Sequence, residues 1–227
     1  MLNIQQKRLL RRVVTHHLLL ITISGAFILL LYPTLPGHDP IWKWSLVTAY
    51  ASLILLSVTL LMGPWNILRG HRNPVSRDLR RDVGIWAAIL GVVHTVIGLD
   101  VHLRGRPWLY FIYPRHEIHW IPLRHDLFGL ANDTGFIGTM ILLLLLATSN
   151  DLSLRRLGTP RWKSLQRWNY FLFLFVALHG AAYQSIEKQR MPFVVTLVLC
   201  VAIVAVLQMI GFFMQRKTKL RTSPSSF

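Results

Sequence analysis

Two histidines lie inside long apolar runs, His94 in Gly91-Val92-Val93-His94-Thr95-Val96 and His179 in Ala177-Leu178-His179-Gly180-Ala181-Ala182. An ionisable ring in such a segment is costly, which makes it the first place to look for function. Two imidazoles at one depth on separate helices can take both axial positions of a b-type haem, and a helix bundle supplies the apolar slot for the macrocycle. Gly91 and Gly98 flank the first ring, and Gly180, Ala181 and Ala182 follow the second, leaving space for a flat porphyrin near the backbone. The pattern is equally compatible with histidines that only hydrogen-bond between helices and with a proton or ion path.

A second group, His116, Glu117, His119, His125 and Asp126, offers imidazoles and carboxylates of the kind that bind zinc or copper. A metal needs three or four of them in one geometry, and a docking or interfacial loop accounts for the same residues. His102 reads as interfacial, and His38 and His71 fall in connections. The single cysteine, Cys200, sits in an apolar run, which excludes a disulfide framework, a CxxC pair and the CxxCH attachment of haem c.

These residues need elements to carry them. A spanning helix takes about 20 mostly apolar residues, and six stretches qualify: 13–31, 42–62, 83–103, 129–148, 168–185 and 192–214. His94 belongs to the third and His179 to the fifth. At about 1.5 Å per residue they lie about 13 Å and about 9 Å below the same end of the bundle. Hydrophobic residues make up 53% of the chain and charged ones 15%, with mean hydropathy +0.44, far from a soluble domain. The expected fold is therefore an all-α integral membrane protein, one domain over 1–227 forming a six-helix transmembrane bundle in contact with lipid. The run 13–31 is followed by Tyr32, Pro33 and a Pro36-Gly37 turn instead of a small-residue cleavage site, so it reads as a span.

The net charge of +16 falls in short clusters, not on one face, which argues against nucleic acid. The clusters are Lys7, Arg8, Arg11 and Arg12; Arg69, Arg72, Arg77, Arg80 and Arg81; Arg155, Arg156, Arg161, Lys163 and Arg167; and Arg216, Lys217, Lys219 and Arg221. The positive-inside rule puts all four on the cytoplasmic side of a bacterial inner membrane, and both termini with them. The opposite side then holds the loop 104–128, whose Trp108, Tyr110, Phe111, Tyr113 and Trp120 suit an aromatic belt. Gly63-Pro64 is expected to end the second helix, and Asn132-Asp133-Thr134-Gly135 to cap the fourth.

Several pieces recur in a fixed order: Arg80-Arg81, Gly84-Ile85-Trp86-Ala87 and His94, then Thr134-Gly135-Phe136-Ile137, the leucines 142–146 and Ala147-Thr148-Ser149. Arg155-Arg156-Leu157-Gly158, Trp162-Lys163, Leu165 through Tyr170 and Leu178-His179 complete the series. With these, residues 65–179 resemble the ferric reductase-like transmembrane domain, most closely its MsrQ-type haem subunits, which serve a periplasmic methionine sulfoxide reductase. The resemblance implies electron transfer across the membrane through b haems held by the third and fifth spans, with His94 and His179 as axial ligands of the iron. Two-haem members carry a further histidine 13 or 14 residues earlier on each helix. Arg80 and Gln166 stand there, so one haem b is expected; His16 or His17, at the cytoplasmic end of the first helix, can replace a lost ligand or be interfacial, solvated histidines.

No Gly-rich dinucleotide fingerprint or flavin domain follows the sixth run, so electrons are expected from quinol, with quinone as a bound cofactor, or from a separate cytoplasmic reductase. Arg77, Arg80, Arg81, Arg155, Arg156 and Lys163 can meet such a donor or haem propionates, although the positive-inside rule alone accounts for them. The expected acceptor is a periplasmic oxidoreductase on loop 104–128. No residue is assigned a catalytic role: the chain reads as an electron-transfer subunit of an oxidoreductase system. Two rival readings are an outer-face metalloreductase using His116, His119 and His125, and an accessory subunit of a larger respiratory or photosynthetic complex.

Overall fold

The computed structural model describes residues 3–37, 39–70, 77–115, 117–188 and 191–222. His38, His71 and His116 of the sequence reading lie outside the described residues. Among the described residues eight α-helices follow one another: α1 (Ile4–Arg12), α2 (Leu19–Leu31), α3 (Pro40–Leu68), α4 (Arg77–Gly98), α5 (Leu127–Ala147), α6 (Asp151–Gln166), α7 (Asn169–Glu187) and α8 (Met191–Thr222). A wider π turn, Val13–Leu18, joins α1 to α2 without a break. Among the described residues the nearest approach to a strand is an isolated antiparallel bridge between Ile112 and Leu123.

Among the described residues five segments are long and apolar enough to cross a membrane: Leu9–Thr34, Pro40–Leu68, Asp78–Gly98, Leu127–Ala147 and Met191–Lys217. They are helical because an unpaired backbone amide has no water to turn to in lipid. The expected fifth span, α7, is not among them. Its 19 residues include Asn169, His179 and Gln184, which lower its hydropathy. Those polar groups have partners inside the bundle. Gln184 donates to Tyr50 Oη at 3.0 Å and to the Phe193 carbonyl at 3.1 Å, and Tyr50 donates to the same carbonyl. One knot of hydrogen bonds thus ties α3, α7 and α8.

The core centres on α3, where Val47 and Leu60 are fully buried. It packs on α4 and α8, while α5 packs on both α4 and α7. Proline does not end α3 at Gly63-Pro64, contrary to expectation. The helix continues to Leu68. Pro64 has no N–H for the Leu60 carbonyl, and Gln208 of α8 fills the vacancy, donating to that carbonyl at 2.8 Å. A neighbouring helix that satisfies the freed group removes the usual reason for a stop.

The fourth helix likewise starts earlier than the Asn132–Gly135 capping signal predicts. Asp126 caps it instead, accepting from the Gly129 amide at 2.7 Å. Asn132 lies one turn inside and donates to the Phe128 carbonyl at 2.8 Å. The third run, read as 83–103, stops being helical at Gly98. Buried Tyr110 donates from Oη to the Gly98 carbonyl and accepts from the His102 amide at 2.9 Å, closing the helix end and folding the following loop over it. The link before α7 is itself helical. α6 is broken at Gly158, whose φ of 72° suits glycine, and Trp162 Nε1 donates to the Thr148 carbonyl at 2.9 Å.

Candidate functional site

α4 and α7 bring His94 and His179 together, with ring centroids 6.0 Å apart and planes at 70°. Each ring is held from behind. His94 Nδ1 lies 2.9 Å from the Ser45 carbonyl and 3.2 Å from Ser45 Oγ, and His179 Nδ1 lies 2.8 Å from the Ala131 carbonyl. A carbonyl only accepts, so Nδ1 carries the hydrogen in both rings and Nε2 keeps its lone pair. Neither Nε2 has a hydrogen-bond partner among the described residues.

Both rings border a cavity of about 440 Å³ whose walls include Ser52, Gly135, Gly138, Leu142 and Leu172. That is the scale of pockets that take cofactor-sized molecules, about 300–1,000 Å³. A haem fits this donor set. Metal–imidazole bonds of about 2 Å, plus about 1 Å from nitrogen to ring centre, put two axial imidazole centroids roughly 6 Å apart. Backbone carbonyls on the far nitrogens are the usual arrangement behind metal-binding histidines.

Glycine makes the close approach possible, though not only where the sequence pointed. A Cβ on Gly135 would stand 2.6 Å from His179 Nδ1, and one on Gly91 would stand 2.8 Å from Leu142 Cδ1. Gly91, Gly98 and Gly180 border the cavity as expected, whereas Ala181 and Ala182 do not.

The family model of the ferric reductase like transmembrane component matches residues 48–177, from α3 into α7, including His94 and ending just short of His179. The chain belongs to the ferric reductase-like transmembrane family. A curated relative is the protein-methionine-sulfoxide reductase heme-binding subunit MsrQ of Deinococcus radiodurans, 29% identical over 143 residues. The match covers 63% of this chain and 63% of the relative, so the chain spans less than two thirds of that relative's length. Family membership and the apolar helices together make this a multi-pass membrane protein.

In this ferric reductase-like chain the other sequence candidates are distributed as follows. Arg80 Nε donates to the Thr59 carbonyl at 3.0 Å, and Gln166 Nε2 is buried with no partner among the described residues. Neither residue borders the His94–His179 cavity. His16 and His17 are half-buried and do not border it. Both turn to Asp82, a fully buried carboxylate on α4. His16 Nδ1 lies 2.7 Å from Asp82 Oδ2, His17 Nε2 3.6 Å from Oδ1, and Trp86 donates to His17 Nδ1 at 3.1 Å. Arg12 adds its guanidinium, with Nε 2.9 Å from Oδ2 and Nη2 against Oδ1. The π turn lets two consecutive histidines reach one carboxylate. Asp82 is 12 residues from His94 on the same helix, or roughly 18 Å along the axis.

Of the basic residues, Arg81 bridges Asp151 at 2.5 Å and Asp78 at 3.4 Å. Its hydrogen bond holds the Asp151 carboxyl below the usual carboxylate range. In the loop, His119 stacks on Tyr113 at 3.6 Å and lies 3.2 Å from Glu117, with His125 at 5.7 Å. No group of three metal-binding residues forms among the described residues. His102 is more than interfacial. It borders the cavity and lies 3.1 Å from Glu187. Ser45, the Ala131 carbonyl, Gly135 and Asp82 were all missed by sequence reasoning. Only Asp82 carried a signal, as an acid inside a span.

Proposed function

We propose that the chain is a b-haem electron-transfer subunit that holds one haem between His94 and His179 and carries electrons across the bacterial inner membrane. The observation that carries this reading is a pair of histidines bordering one cavity, with rings 6.0 Å apart and each tied by Nδ1 to a backbone carbonyl, so that Nε2 keeps its lone pair. When bound, the haem supplies a one-electron couple whose potential the surrounding protein tunes.

The chain's residues do the rest. The Ser45 and Ala131 carbonyls fix both ring planes and hold the hydrogen on Nδ1, which leaves Nε2 to ligate. Leu142, Leu172 and Val176 keep water from the cavity wall. Arg80, tied to the Thr59 carbonyl, and Gln166 stand where two-haem relatives carry histidines, which supports one haem over two. α7 serves as the sixth span, its polar groups turned inward, which leaves both termini and the basic clusters on the cytoplasmic side. The donor is quinol or a separate cytoplasmic reductase, and the acceptor docks at loop 104–128. The relative's printed role, haem binding for a methionine-sulfoxide reductase, supports a periplasmic oxidoreductase as that acceptor.

Liposomes carrying the purified protein and entrapped ferricyanide should bleach the ferricyanide when dithionite is added outside. With His94→Ala or His179→Ala the rate should fall to that of protein-free liposomes. Equal rates in wild type and both variants would sink the reading.

A further inference from the structure

The loop end of the cavity carries titratable groups that axial ligation does not use. His102 and Glu187 both border it, with His102 Nε2 3.1 Å from Glu187 Oε1. Their side chains keep 30% and 21% of their surface accessible, so a proton can reach them from water at the loop side. Two aromatic contacts lead from there to the proposed ligand. His102 stacks on Tyr183 at 5.9 Å with planes 15° apart, and Tyr183 lies 4.9 Å from the His179 ring. Glu187 and Tyr183 of α7 and Tyr110 of the short helix Pro107–Tyr110 are the titratable groups facing His102, while Phe128 of α5 packs edge-on and adds none. Tyr183 is committed elsewhere, donating to Asn132 Oδ1 at 2.7 Å, and Tyr110 donates to the Gly98 carbonyl. Among the described residues, His102 is therefore the member of this cluster whose ring is left to exchange a proton with Glu187 and water.

We infer that His102, paired with Glu187, is a proton-binding site coupled to reduction at the His94–His179 site. This inference rests on the haem reading above. Arrival of an electron from the donor draws protons from outer-side water onto His102, at most about half a proton per electron for a tenfold change in proton affinity, and departure of the electron to the acceptor returns them to water. The added electron makes the cavity more negative, which favours the imidazolium. In a setting of effective dielectric near 20, a unit charge about 10 Å away changes proton affinity on the order of tenfold. For a one-electron couple that is about 59 mV.

The test is a spectroelectrochemical titration of the purified protein between pH 5 and 9, with haem content measured in each sample. The wild-type midpoint potential should fall by about 59 mV as pH rises, levelling at both ends. His102→Phe, which keeps a ring against Tyr183, should give a flat line at the alkaline plateau. His102→Lys, a fixed cation beside Glu187, should give a flat line at the acidic plateau. A flat wild-type line on haem-loaded protein, or a bend that survives in haem-loaded His102→Phe or His102→Lys, would overturn the inference and leave the haem reading standing. Wild-type protein without haem would overturn both.

Discussion

Gly135→Ala should purify with about a tenth or less of the wild-type haem, read as pyridine haemochrome per chain. The new Cβ would stand 2.6 Å from His179 Nδ1 and 2.8 Å from Cε1. Both atoms belong to a ring already fixed by the Ala131 carbonyl, so the ring cannot retreat without breaking that bond. Overpacking of this kind costs about 1–3 kcal/mol. Here the cost falls on the position of His179, and a ring pushed out of place would no longer hold the haem. Gly138→Ala is the control. It lies in the same helix and lines the same cavity, but its Cβ would meet nothing closer than 3.7 Å, and it should keep its haem. Equal haem in Gly135→Ala and wild type would mean that His179 is not the ligand or that α5 yields easily.

Asp82→Ala should free the N-terminal span while leaving haem content unchanged. Asp82 is fully buried and gathers Arg12, His16 and His17 from the α1–α2 segment. Removing one member of a buried charged pair costs about 3–5 kcal/mol, because the partner charge is left uncompensated. Little else holds this span, since only 11% of its apolar window is buried inside the bundle. Hydrogen exchange followed by mass spectrometry should therefore show backbone protection over residues 9–31 falling by two or more orders of magnitude, as about 1.4 kcal/mol is tenfold. The separation of roughly 18 Å along α4 keeps His94 out of reach. Unchanged exchange would show that lipid and the α2–α3 contact suffice to hold the span.

The sequence made legible whatever depends on local composition. Apolar runs pointed to an all-helical membrane protein, since a helix in lipid must satisfy its own backbone. His94 and His179 stood out because an imidazole in such a run needs a reason. What stayed hidden depends on groups far apart in the chain. Pro64 looks like a helix end until Gln208, on another helix, is seen to satisfy the Leu60 carbonyl. Tyr110 ends α4 at Gly98 from a loop. His16 and His17 look like spare interfacial residues until the π turn aims both at Asp82. Ala131 takes part through its carbonyl, which every residue has, so its identity marks nothing. The polar residues of α7 weaken its hydropathy for the same reason that they matter, since His179 and Gln184 point into the bundle.

The central claim is most directly tested by the haem content of detergent-purified protein, from a reduced-minus-oxidised spectrum with pyridine haemochrome quantification, in wild type, His94→Ala and His179→Ala. The account predicts about one b haem per wild-type chain, low-spin in the oxidised form, and loss of that species in either variant. Wild-type protein that folds without haem, or either variant that keeps a full low-spin complement, would contradict it.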